Sequence, residues 1–301
     1  MKKKISIICP VFNEENCIPP FFDRIKIIKD KLIDYEIKLI FSNNCSTDRT
    51  YEILKDLCNN NEWVNLITYT RNFGYQSSVY GALKETKSDL YFIVDVDLQD
   101  PPELLFDLLD KHEKENYKVV FGERSNRNEK FIIKFCRDIY YRILKKIADQ
   151  DFQVDMAEYF LITDEVKEII LKTSTSNIFL RNEVAYSGYK RIGIPYKREK
   201  RVLGEGEGES LLYMILFGFK GIISSSTFPL RIIFYAFIPM IIINIFFILS
   251  VFSMKLTIGL NLIYFVYAFA FISIYIARVY KDTMSRPIYI VDKEKTIFKN
   301  N

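Results

Sequence analysis

The chain has 301 residues, enough for one large domain or two smaller ones. Its formal net charge of +4 is small for this length and gives no case for nucleic-acid binding. With one histidine, His112, a His-rich metal site has too few members, and its place among Lys111, Glu113 and Lys114 reads as a solvated surface rather than the base of a Ser-His-Asp triad.

Residues 1–4 are basic and lead into Ile5-Ser6-Ile7-Ile8, an apolar run too short for a signal peptide and cut by Pro10 and charges. The expectation is that nothing directs the N-terminal half across a membrane. Apolar, β-branched runs predict strands at 4–9, 35–42, 64–69, 90–94 and 119–122. Between them, 17–31, 47–59 and 77–86 carry helical periodicity. That alternation predicts an α/β domain with a mostly parallel sheet. Ligands of such sheets bind beyond the carboxyl ends of the strands, which gathers 10–14, 43–48, 71–72 and 95–100 around one crevice. The five cysteines (Cys9, Cys17, Cys45, Cys58 and Cys136) are odd in number and lack Cys-x-x-Cys spacing. They fit reduced thiols of a cytosolic domain. His112 lies among Lys111, Glu113 and Lys114, a solvated helical face.

The most informative stretch is Asp95-Val96-Asp97-Leu98-Gln99-Asp100-Pro101-Pro102-Glu103, directly after the fourth strand. Carboxylates at i and i+2 point to one side of a strand, and neither can be left unpaired beside a core without large cost. A hard divalent ion that also binds phosphate oxygens suits such a pair. The alternative is a turn whose Asp caps the next helix, with Pro101-Pro102 in its first turn.

Residues 130–148 form a basic, apolar stretch (Lys130, Lys134, Arg137, Arg142, Lys145 and Lys146 among Phe131, Ile132, Phe135 and Tyr140). It reads as a solvated face or as a helix on an anionic membrane surface. Residues 210–223 are apolar but short and read as interfacial. Two uncharged runs follow, 232–250 and 259–277, each about 28 Å long as a helix, near the ~30 Å hydrocarbon core. The connector at Ser253-Met254-Lys255 is short, so a hairpin is expected. Arg231 precedes it, and Arg278, Lys281 and Arg286 follow, which puts both ends in the cytosol. The expected organisation is a cytosolic α/β domain over 1–209, an interfacial segment over 210–231, two spans over 232–277 and a cytosolic tail over 278–301.

The acidic run resembles that of the GT-A-type glycosyltransferases that charge a polyprenyl phosphate with a sugar: dolichol-phosphate mannose synthases and, more closely, bacterial bactoprenol glucosyltransferases. Further matches occur in the right order: Ile8-Cys9-Pro10-Val11-Phe12-Asn13-Glu14-Glu15, Thr70-Arg71-Asn72-Phe73-Gly74, Ser226-Thr227-Phe228-Pro229-Leu230-Arg231 and Arg286-Pro287-Ile288-Tyr289-Ile290-Val291. The resemblance implies an inverting transfer from a nucleotide-sugar to a polyprenyl phosphate in the bilayer of the cytoplasmic membrane, and a homo-oligomer, in the family a tetramer. By the same resemblance Asp97 and Gln99 match metal ligands, and Asp95 lies near ribose and metal. Oxygen ligands fit Mg²⁺ or Mn²⁺. Pro10, Phe12, Glu14 and Asn44 match the lining of nucleobase and ribose. Arg124 and Arg137 match arginines on the acceptor phosphate, and Arg201 one on the donor diphosphate.

Several positions depart from the family pattern. Phe12 stands for Tyr, and Asn44 for Asp; Asn donates as well as accepts, so the base edge is read differently. Uridine is the expected base, guanosine the alternative. The family's Gly-Asp-Phe-Arg appears as Ala157-Glu158-Tyr159-Phe160, so its active-site Asp is Glu158 and the following Arg is lost. Its Gly-Glu-Ser-Lys-Tyr appears as Gly204-Glu205-Gly206-Glu207-Gly208, which reads as a closing loop or a linker. These changes motivate two competing readings, a non-catalytic membrane-anchored scaffold and a glycosyltransferase with another acceptor. Retention of Asp95, Asp97, Gln99, Arg124 and Arg201 together argues against the scaffold.

Overall fold

The computed structural model describes residues 2–124, 156–173, 178–199, 226–249 and 253–299, with 139, 142, 146, 147, 149, 219 and 221–223 besides. Most of the predicted basic stretch at 130–148 and most of 210–223 lie outside the described residues.

Strand β1 (Lys3–Val11) alternates its side chains between two apolar layers. Ile5, Ile7 and Cys9 enter one core, and Ile8 enters the other. This period-two split is what a strand covered on both faces requires. Helix α1 (Ile18–Lys31) starts on Pro19-Pro20 and buries Ile18, Phe21, Phe22, Ile25 and Ile28 along one stripe. Then follow β2 (Tyr35–Asn43), α2 (Thr50–Asn60), β3 (Val64–Thr68), α3 (Tyr75–Glu85), β4 (Leu90–Ile93), α4 (Leu105–Glu115) and β5 (Val119–Arg124). β1 pairs in parallel with β2 and β4, and β2 with β3, as the sequence leads one to expect.

Two further strands complete the sheet. β6 (Met156–Thr163) runs antiparallel between β4 and β5, and β7 (Arg191–Tyr196) runs parallel to β5. The order is β3-β2-β1-β4-β6-β5-β7. Helices α5 (Asp164–Leu171) and α6 (Leu180–Tyr186) lie in the layer of α3, with Val166, Ile170 and Val184 in its core.

Gly122 shows how closely this half is packed. A Cβ there would stand 2.5 Å from Tyr159 Cδ1 and 2.6 Å from Tyr196 Cε1, ring atoms of two buried tyrosines that cannot swing away. Gly122→Ala is therefore expected to lower stability by about 1–3 kcal/mol. Denaturant unfolding checks it, and an unchanged midpoint would mean the rings yield.

The apolar helices are α7 (Phe228–Ile248) and α8 (Met254–Thr283), joined by a few residues. Both are long and apolar enough to cross a membrane, and almost none of the residues in their apolar stretches are fully buried. Asn244 and Asn261 exchange side-chain hydrogen bonds of 3.1 Å between them, and each also donates to a carbonyl of its own helix. Such satisfied polar pairs fix register where apolar packing is indifferent to it. Asp149 accepts from the Thr227 backbone N–H and from Arg231, which secures the start of α7.

The boundary expected at residue 277 falls inside α8, and the tail is not separate. Leu66 and Ile297 exchange two backbone bonds of 2.8 Å, and Thr70 N donates to Ile290 O at 3.0 Å. Tyr289 packs edge-on against Tyr69 and Tyr80. The last residues therefore cover β3, which would otherwise be an exposed edge of the sheet.

Candidate active site

The carboxyl ends of β1, β2 and β4 and the loop after β3 meet at a cavity of about 470 Å³. Pro10, Phe12, Glu14, Asn44, Asp95 and Asp97 all line it, six predicted residues from three separated stretches. Side chains hold the loops together at its mouth. Asn13 Oδ1 accepts from Thr47 N at 2.8 Å, and Glu14 N donates to Thr50 Oγ1 at 3.0 Å. Among the described residues five non-glycines have positive φ, and three of them (Asn13, Cys45 and Leu98) sit in these loops. Backbone held in that region costs free energy and marks functional loops more often than scaffold.

Asn44 is buried. Its Nδ2 donates to Asn72 Oδ1 at 2.8 Å, and its Oδ1 accepts from Phe73 N at 2.9 Å. Aspartate could not make the first bond, so the departure at this position is matched by Asn72. The same Asn72 Oδ1 accepts from Gly74 N at 2.8 Å, where Gly74 takes φ 86° to open α3.

Asp95 accepts from Tyr75 Oη at 2.8 Å. Burial, with Asp100 and Asp97 close by, pushes its carboxyl up to about 7. Asp97 Oδ1 accepts from Gln99 N at 3.0 Å across Leu98, whose positive φ makes the turn. Among the described residues no three His, Cys, Asp or Glu side chains form a closed metal cage. Two carboxylates on one wall still fit Mg²⁺ or Mn²⁺, which bind through one or two carboxylates and take substrate phosphates for the rest. The repulsion felt at Asp95 is what a cation there would relieve.

Beside this wall stands a buried ion pair that sequence reasoning did not assemble. Asp100, 1% exposed, accepts from Arg124 Nη2 at 3.2 Å and from Tyr196 Oη at 2.5 Å. Arg124 Nε donates to Tyr196 Oη at 3.3 Å, and Arg198 Nε lies 3.4 Å from Asp100 Oδ1. Register pairs Arg124 with Tyr196 on neighbouring strands, so both reach the loop after β4. Arg124 is thus the held partner of Asp100, with its guanidinium stabilised in the charged form by Asp100 and by nearby Asp95.

Glu158 on β6 carries a second pair. The β4–β6 register, Ile93 opposite Phe160, continued by two residues would set Asp95 beside Glu158. Its Oε1 accepts from Arg181 Nε at 2.7 Å and from Gln76 Nε2 at 3.2 Å, while Oε2 is buried with no hydrogen-bond partner among the described residues. Gln76 Oε1 in turn accepts from Leu180 N at 2.9 Å, tying α3 to the start of α6. Phe160 itself is buried in the core, and the cation beside Glu158 is Arg181, from another element. Arg137, Arg201 and the 204–208 loop lie outside the described residues.

The family profile Glycosyl transferase family 2 matches residues 6–181. The glycosyltransferase YkcC of Bacillus subtilis (strain 168) is 30% identical over 303 residues, covering 96% of this chain and 93% of its own. The bactoprenol glucosyl transferase of Shigella phage SfX is 30% identical over 311 residues, covering 97% and 100%. Among solved structures, mannosyl-3-phosphoglycerate synthase from Rubrobacter xylanophilus superposes with a TM-score of 0.50 at 13% identity, covering 72% of this chain and 71% of that one, a likeness of fold. A GT-A-like sheet with an acidic crevice at its strand ends, matched by this profile and by relatives along nearly the whole chain, makes the protein a glycosyltransferase that belongs to glycosyl transferase family 2.

Proposed function

We propose that the protein moves a sugar from a nucleotide-sugar, UDP-linked, to a polyprenyl phosphate such as undecaprenyl phosphate, for modification of a cell-envelope glycan. The observation that carries this is the alignment with a bactoprenol glucosyl transferase over 97% of the chain, both apolar helices included. In this reading α7 and α8 cross the cytoplasmic membrane as a hairpin, the catalytic domain stays in the cytosol, and the chain assembles as a homo-oligomer. A tag after Asn301 is expected to be accessible from the cytosolic face alone; labelling only from outside the cell would refute that arrangement.

A phosphate oxygen is charged at neutral pH, so this site has to place its nucleophile rather than deprotonate it. The oxygen bonds to the anomeric carbon as that carbon's bond to the nucleoside diphosphate breaks, with inversion. Pro10, Phe12, Glu14 and Asn44 hold the base and ribose, with Asp95 beside the ribose. Held by Asp95, Asp97 and Gln99, a divalent cation would neutralise the leaving diphosphate. Arg201 is proposed for the same diphosphate, and Arg124 with Arg137 for the acceptor phosphate, where planar bidentate donors suit the geometry.

Glu158 is proposed to receive a sugar hydroxyl on Oε2, which has no partner among the described residues, with Arg181 and Gln76 holding the side chain. Arg181→Met is expected to lower kcat/KM for the donor about 10- to 150-fold, the range of one charge-assisted hydrogen bond. Arg181→Lys should recover part of that loss. Initial rates across donor concentration decide it, and wild-type kinetics in Arg181→Met would take the pair out of the donor site.

The function itself is tested by incubating membranes that contain the protein with labelled nucleotide-sugars, extracting lipid and identifying the product. A lipid-linked sugar is expected. No lipid-linked product with any donor, while a soluble acceptor is glycosylated, would reassign the acceptor.

A further inference from the structure

Two stretches that stand out in the sequence, 70–74 and 286–291, contribute little to the crevice, but they meet on its far side. Asn72, Gly74, Tyr75 and Ser78 face the crevice, whereas Arg71, Phe73 and Ser77 line a second cavity of about 790 Å³. Its opposite wall is the last turns of α8 and the chain after it, with Tyr280, Lys281, Met284 and Arg286. Three cations line this cavity, Arg71 on one wall and Lys281 and Arg286 on the other, and among the described residues no carboxylate does. The Arg71 guanidinium lies over the Phe73 ring at 3.9 Å and donates to Asn72 O at 3.2 Å, so it is held in place.

The level of this cavity follows from the hairpin. α7 has 21 residues and is about 32 Å long, close to a hydrocarbon core of ~30 Å. Tyr267 Oη donates to Pro229 O at 3.1 Å and Tyr275 Oη to Ser226 O at 2.6 Å, which aligns Tyr275 of α8 with the start of α7. The 30-residue α8 therefore continues past α7 by about two turns. The cavity wall is built largely from those turns, at the depth of lipid phosphates, and Ile276, Ile272 and Phe269 extend an exposed apolar surface from there toward the hydrocarbon.

We propose that this cavity binds an anionic phospholipid of the bilayer, its phosphodiester among Arg71, Lys281 and Arg286 and the upper part of its acyl chains against Phe73, Ile276 and Met284. Segment 71–78 stands between this lipid and Asp95–Asp97, so the lipid is not a reactant. It fastens the catalytic domain to the base of α8 through the two segments it touches. The proposal rests on the membrane reading of the hairpin and is independent of the identity of the acceptor.

The test is lipid retention by native mass spectrometry, on full-length protein taken from detergent with equimolar phosphatidylglycerol and phosphatidylcholine. The wild type is expected to keep one phosphatidylglycerol. Lys281→Ala/Arg286→Ala should weaken that retention about thirtyfold, at about fivefold for each cation near the membrane surface. Lys190→Ala/Lys293→Ala removes the same charge from exposed positions elsewhere and should leave retention unchanged. Equal retention in both double variants, or no preference between the two lipids, overturns the proposal. So does displacement of phosphatidylglycerol by added undecaprenyl phosphate, which would give the cavity to the acceptor. If the membrane reading itself were wrong, the protein would stay dispersed without detergent and keep neither lipid.

Discussion

Asp97→Asn is expected to lower turnover at least about a hundredfold, equivalent to about 2.7 kcal/mol of transition-state stabilisation, while the protein stays folded. Asp97 lines the crevice, and its Oδ1 accepts from Gln99 N at 3.0 Å. An amide oxygen can still accept that bond, so the turn at Leu98 survives the substitution. What is lost is one of two charges able to hold a divalent ion. Removing a carboxylate near Asp95 also removes repulsion, since Asp97 is among the groups that push Asp95 up to about 7. The metal-free variant should therefore unfold at the same temperature as the wild type or a higher one. Mn²⁺ titration, initial rates and thermal unfolding separate the effects. Full activity of the wild type in excess EDTA, or wild-type turnover in Asp97→Asn, would remove the metal from the reaction.

The parallel half of the sheet is legible because its strands are buried on both faces and read as continuous apolar runs, such as Leu90 to Ile93. β7 hides because Arg191-Ile192-Gly193-Ile194-Pro195-Tyr196 contains a glycine and a proline and is mostly half-exposed. β6 hides because Glu158 interrupts its run, and that residue has tertiary partners. The segment after α8 joins β3 through scattered single bridges, which leave no periodicity to detect. The same contrast governs the site. The stretches 10–14, 43–48 and 95–100 follow from the rule that ligands gather at strand ends, and the family resemblance singles out Pro10, Asn44 and Asp95 within them. Pairings could not, because Asp100 with Tyr196 and Glu158 with Arg181 are 96 and 23 residues apart. In the second case the sequence shows only an arginine absent at Phe160, with nothing to point to Arg181 on α6 as the partner of Glu158.

Arg124→Ala is expected to act twice, on stability and on use of the acceptor, and the two effects can be pulled apart. Asp100 is 1% exposed, so removing its guanidinium partner leaves a buried charge uncompensated. That costs about 3 kcal/mol, the low end for such pairs, because Tyr196 and Arg198 still face the carboxylate. Adding Asp100→Asn removes the stranded charge, and the double variant Asp100→Asn/Arg124→Ala should recover most of that stability. The acceptor effect should not recover. If Arg124 also holds a phosphate oxygen, lipid-dependent rate falls about 10- to 150-fold in both the single and the double variant, with donor affinity little changed. Arg124→Lys should rescue incompletely, since an ammonium keeps the charge but loses the planar fork that spans Asp100 and Tyr196. The measurements are denaturant unfolding, donor titration, and initial rate against polyprenyl phosphate at saturating donor. A double variant that regains both stability and lipid kinetics would show that Arg124 serves Asp100 alone, and the acceptor phosphate would then need another cation.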